Sequence, residues 1–146
     1  MAAGFGIETM VISRTTFYES EEILDQLATI DLVVLAGFLW LIPTYFVRAF
    51  PQRIVNIHPA LLPKYGGKGM YGMNVHRAVS EAKEEESGMT IHYVNEHYDE
   101  GQIIFQATCP LIPGEAAEEI ARKVLILEHQ HFAPVIEQLL TNIDRS

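Results

Sequence analysis

Cysteine is almost missing from this chain. Cys109 stands alone among 146 residues, so an intrachain disulfide and a multi-cysteine zinc site are both excluded. Long apolar runs are missing too. The richest, Leu32 to Ile42, falls well short of the roughly 20 residues that span a bilayer. Positive charge is scarce, with 10 Lys and Arg against 19 Asp and Glu, a formal net charge of −9. That deficit argues against nonspecific binding to nucleic acid and against docking on an anionic membrane. The opening Met1-Ala-Ala-Gly-Phe-Gly6 has neither the basic region nor the apolar stretch of a secretory signal. Internal repeats, low-complexity tracts and interdomain linkers are likewise not visible. With so few thiols, a cytoplasmic setting is the expectation, and Cys109 reads as an inert thiol within a strand.

What remains is ordinary globular sequence. Apolar residues make up 49% and charged residues 20% of the chain, which suits one domain, residues 1–146, with one core. Gly6 reads as the stop of a helix, and Glu8 to Ile12 as a strand. Phe17 to Ala28 has helical spacing, with acids in its first turn where the helix dipole favours them. The run Leu32 to Ala36 reads as a strand buried on both faces. Pro43 to Phe50 predicts a short helix, Ile54 to His58 a strand, and Val75 to Ala82 a helix. Met89 to Val94 and Gln102 to Ala107 predict two more strands. Ala116 to Leu140 predicts a long amphipathic helix, with Pro134 as a point of interruption. Strands alternating with helices predict an α/β fold with an open, mostly parallel, Rossmann-like sheet flanked by helices.

Two segments carry chemistry. In Arg53-Ile-Val-Asn-Ile-His-Pro-Ala-Leu-Leu-Pro63, Asn56 and His58 are two apart on a strand and share a face. Strand ends of open α/β sheets are where ligands bind. Asn56 can donate to a developing oxyanion, and His58 can exchange a proton near neutral pH. A hydrogen-bonded structural pair is the competing reading. In Asn95-Glu-His-Tyr-Asp-Glu-Gly101, Asp99 is placed to fold back onto His58, raising its pKa and orienting its ring; a solvated turn is the alternative there. The glycine-rich Lys64 to Gly72 segment is not a phosphate-binding Walker loop, since Gly69 follows Lys68 where Ser or Thr is required. It reads as a loop near the site or a plain connector. The histidines have no metal spacing, and no metal site is expected.

Asn56-Ile-His58-Pro59, then Leu61-Leu-Pro63, then Asp99-Glu-Gly101 after a strand, resembles the signature of the folate-dependent formyltransferase family. Val33 to Phe38 and Glu128-His129 extend the likeness, from about Gly6 to Leu140. Within the family the match is to members that formylate glycinamide ribonucleotide in purine synthesis. The resemblance implies catalytic roles for Asn56, on the formyl oxygen, for His58 as general acid/base, and for Asp99, which tunes it. It implies that Leu39, Trp40, Leu41 and Ile42, with Asn56, Asn95 and Tyr98, bind the folate, and that Glu128 binds the ribose of the substrate. The co-substrate would be 10-formyltetrahydrofolate, with glycinamide ribonucleotide as acceptor, in a monomer or homodimer without metal.

Two departures accompany the likeness. Arginines that some members place on the folate would stand near Ser20 and at Trp40. The family's first strand, glycine-rich phosphate turn, helix and second strand also have no counterpart, so the expectation is a fold truncated at its N-terminus. Rival readings are a formyltetrahydrofolate deformylase, a methionyl-tRNA formyltransferase, and an inactive folate-binding fragment. The first usually adds a regulatory domain, and the second a basic one.

Overall fold

The computed structural model describes residues 6–97 and 101–143. The chain divides into two compact units, Met1–Ile30 and Asp31–Ser146. The first holds two short helices, α1 (Arg14–Glu19) and α2 (Ile23–Gln26). Ser13 caps α1 in a reciprocal capping box with Thr16, which satisfies two of the orphan donors of a helix start. One continuous helix was expected from Phe17 to Ala28. Ser20 breaks it: its backbone is extended, and its hydroxyl accepts from the Glu22 amide at 3.1 Å. A serine that offers the chain a local bond of this kind competes with the helix. Glu8 to Ile12 forms no strand.

The second unit carries β1 (Val33–Leu35), α3 (Thr44–Ala49), β2 (Ile54–His58), α4 (Met73–Glu81), β3 (Glu86–Tyr93), β4 (Ile103–Pro110) and α5 (Ala117–Asn142). The sheet order is β1-β2-β3-β4. The α/β class stands, but the sheet is mixed: β1 and β2 are parallel, whereas β2/β3 and β3/β4 are antiparallel. Among the described residues between β3 and β4, 94–97 and 101–102, there is no helix that would carry the chain back across the sheet, and the pairing is antiparallel. β1 lies at an edge and its middle residue, Val34, is 39% exposed, against the expectation of a strand buried on both faces.

Alternation decides which face does what. Val55, Met89 and Ile91 are fully buried and join Val79 of α4 with Ile120 and Val124 of α5 in one cluster. Each such side chain contributes about 1.5–3 kcal/mol by leaving water. The α5 helix runs unbroken through Pro134. Proline removes one helical bond, but Phe132, Val135, Ile136 and Leu139 pack against the core on either side of it. The other face of β2 and β3 is polar and buried. There the Thr90 hydroxyl donates to the Ala60 carbonyl at 2.7 Å and accepts from the Leu62 amide at 3.1 Å. Gln106 adds bonds to the Leu62 carbonyl and to Thr90. The segment after His58 is thus pinned to the sheet by side chains rather than by a strand ladder.

Candidate functional site

Strand β2 places Asn56 and His58 on one face, and the register sets each opposite a polar partner: Asn56 faces His92, and His58 faces Thr90. Directly opposed residues of an antiparallel pair point the same way. A β-bulge follows. Ile91 pairs with Phe105 but His92 pairs with Ile103, so β4 carries an extra residue beside His92. Bulges re-aim side chains and recur next to sites of this kind.

His58 is 3% exposed. Its Nε2 lies 2.7 Å from the Tyr65 carbonyl, an acceptor, so Nε2 carries the hydrogen and donates. In the neutral ring the lone pair then sits on Nδ1. His76 of α4 is also buried, and its Nδ1 has no hydrogen-bond partner. Burial first, and the positive field of His58 second, hold the His76 pKa below the usual histidine value. The shift favours the neutral form of His76, where a second cation would oppose charge on His58.

Asn56, His58 and His92 open onto a cavity of about 950 Å³, within the range of sites that engulf small molecules. Leu39, Trp40, Leu41 and Ile42 form an apolar wall. Ile42 is buried, while Leu39 is 56% exposed. The Phe38 and Trp40 rings meet edge to face, 5.7 Å apart. Asn95 lines the cavity, and its side-chain oxygen accepts from the His97 amide at 2.8 Å. From α5, Glu128, His129 and Phe132 close another side. Tyr98 and Asp99 lie outside the described residues. All the other candidate residues, from Leu39 through Glu128, line this one cavity.

Some lining residues were not candidates on sequence. His92 had no metal spacing and gave no other signal, because its position opposite Asn56 depends on strand register. The loop from Gly67 to Gly72 forms part of the lining, which settles its choice between site loop and connector. Its Lys68 is the only Lys or Arg among the described lining residues. Among the described residues no group of three metal-ligating side chains comes together, and no helix is long and apolar enough to cross a membrane. Cys109 is partly buried in β4, and burial raises its thiol pKa, so it is a weak nucleophile.

Gly101 sits where the chain returns from this site. A Cβ there would overlap the Tyr93 carbonyl. That carbonyl is the one His92 Nδ1 bonds, at 3.0 Å.

A family model described as formyl transferase matches residues 5–136. The chain is similar to the chloroplastic phosphoribosylglycinamide formyltransferase of Arabidopsis thaliana, at 52% identity over 107 residues, 73% of this chain and 37% of that protein. It therefore spans little more than a third of that relative's length. Among solved structures it is similar to phosphoribosylglycinamide formyltransferase from Anaplasma phagocytophilum, with TM-score 0.84 and 34% identity, covering 97% of this chain and 67% of that one. Glycinamide ribonucleotide transformylase 1 from Geobacillus kaustophilus gives TM-score 0.81 and 34% identity, covering 95% and 74%.

Proposed function

The chain belongs to the formyl transferase family, and from that premise we propose that it transfers a formyl group from 10-formyltetrahydrofolate to the amine of glycinamide ribonucleotide. The observation that carries the proposal is the placement of Asn56 and His58 on one strand face, both lining a cavity of about 950 Å³. The match over residues 5–136 supports reading the chain as one formyltransferase catalytic domain. A cytoplasmic monomer or homodimer is part of the same reading.

In this reading the apolar wall from Leu39 to Ile42 takes the flat ring system of the folate, and Asn95 and Tyr98 are assigned further folate contacts. The substrate amine attacks the formyl carbon, a C–N bond forms, and the carbonyl oxygen becomes an oxyanion. An Asn56 N–H donates to that oxygen. The amine's proton passes by way of His58 to the folate nitrogen, whose bond to the formyl carbon breaks. The role this reading gives Asp99 is to keep the protonated form of His58 available. No covalent enzyme intermediate is required, so rate comes from positioning, oxyanion stabilisation and proton transfer.

The test is direct. Purified protein given 10-formyltetrahydrofolate is expected to release tetrahydrofolate only when glycinamide ribonucleotide is present. Release without the amine makes it a hydrolase. Folate binding without turnover makes it a binding module. Either result overturns the proposal.

Glu128, on the ribose in this reading, gives a second test. Its pKa is raised, mainly by burial, with His129 pulling the other way. A carboxyl with a raised folded pKa costs stability when ionised, and that cost disappears once pH falls below the ordinary carboxylate value. Glu128→Gln is therefore expected to raise the melting temperature near neutral pH, with the gain fading as pH falls from the raised folded value toward the ordinary carboxylate value and gone below it. The same variant is expected to weaken the ribonucleotide and spare the folate. A lower melting temperature at neutral pH, or equal loss of both ligands, counts against this placement.

A further inference from the structure

Asn56 can serve an oxyanion only if its amide presents nitrogen rather than oxygen, and nothing on β2 itself decides that. The neighbouring strand does. His92, 2% exposed, lies directly across from Asn56. Its Nδ1 is 3.0 Å from the Tyr93 carbonyl. A carbonyl only accepts, so Nδ1 carries the hydrogen, and in the neutral ring Nε2 holds the lone pair. That Nε2 is 3.3 Å from Asn56 Nδ2. Nε2 can only accept there, so the amide must turn its NH2 group, not its oxygen, toward the ring. One N–H of Asn56 is spent on His92. The other has no protein partner among the described residues and belongs to a group lining the cavity.

We propose that His92 is a positioning residue: a chain of bonds from the Tyr93 carbonyl through the His92 ring to the Asn56 amide fixes which end of that amide faces the reacting carbonyl. His92 touches neither substrate in this scheme. It removes the amide's freedom to turn over, which would otherwise offer an oxygen to a developing negative charge and repel it. Donors held in place before the reaction act without reorganisation during it. The bulge beside His92 fits this role, because bulges re-aim the side chains next to them.

The catalytic part rests on the formyl-transfer reading, whereas the bond chain stands on its own, and two measurements separate them. The first is nitrogen-15 NMR of the intact protein. It is expected to find His92 in the Nδ1–H tautomer, and an Asn56 side-chain amide whose resonances shift in His92→Gln. A His92 ring protonated on Nε2, or an Asn56 amide indifferent to the substitution, overturns the proposal whether or not the protein turns over. The second is steady-state kinetics. His92→Phe, which keeps a ring but no acceptor, is expected to lower kcat roughly ten- to hundredfold, the scale of a small misplacement of a catalytic group. KM for both substrates should change less than about twofold on that account. His92→Gln, which retains an acceptor, should recover part of the loss. Unchanged kcat in folded His92→Phe refutes the role. If the wild-type protein shows no formyl transfer, the functional reading falls and the NMR result alone decides this inference.

Discussion

Replacing His58 with alanine is expected to lower kcat at least about a hundredfold, the usual contribution of a general acid–base group. KM for the folate should stay near its wild-type value, because the apolar wall from Leu39 to Ile42 lies on a different segment from His58. The loss has two sources. Proton exchange between amine and folate nitrogen loses its carrier. The Tyr65 carbonyl also loses a donor at 2.7 Å, and an orphaned buried acceptor costs about 1–3 kcal/mol. A denaturation curve measures the second separately. Turnover within a few-fold of wild type, in protein shown to be folded, removes His58 from the mechanism.

Gly101→Ala is expected to have the second large effect. The added Cβ meets the backbone carbonyl of Tyr93, and backbone cannot swing aside as a flexible side chain can. Overpacking of this kind costs about 1–3 kcal/mol, read as a lower denaturation midpoint. Relief requires Tyr93 to move, and its carbonyl is what orients His92. Turnover should therefore fall even at temperatures where the variant is fully folded. Wild-type stability together with wild-type kcat would show that the close approach of these two backbones has no consequence.

The sequence was most informative where the chain's own alternation carries the signal. Strand β2 falls on Ile54–His58 as read, because apolar and polar residues alternate across a sheet with one greasy and one polar buried face. That alternation alone put Asn56 and His58 side by side. His92 alternates in the same way along β3, yet its meaning comes from the strand it faces. Antiparallel register is a pairing between distant segments and has no local trace. For the same reason the sheet was expected to be mostly parallel: counting strands and helices does not show that residues 59–72 are spent on a loop along the cavity. Pro134 erred in the other direction. Local rules predict an interruption, but packing of α5 on the sheet outweighs one lost hydrogen bond. The break at Ser20 was legible in principle, since serine commonly competes with helix in this way.

The three-way bond of Thr90 has a consequence in time. The Leu62 amide is held by a hydroxyl buried beneath it, not by a neighbouring strand. Its proton can exchange with water only when the floor of the cavity parts from β3. The Gly67–Gly72 rim is built on short-range bonds, Met70 to Gly67 and Tyr71 to Gly69, which can rearrange without disturbing that floor. One cavity thus contains two clocks, because segments of unequal local stability open at unequal rates. Ligands can come and go at the rate of the rim, while the amide and imidazole beneath keep their alignment for as long as the floor stays shut.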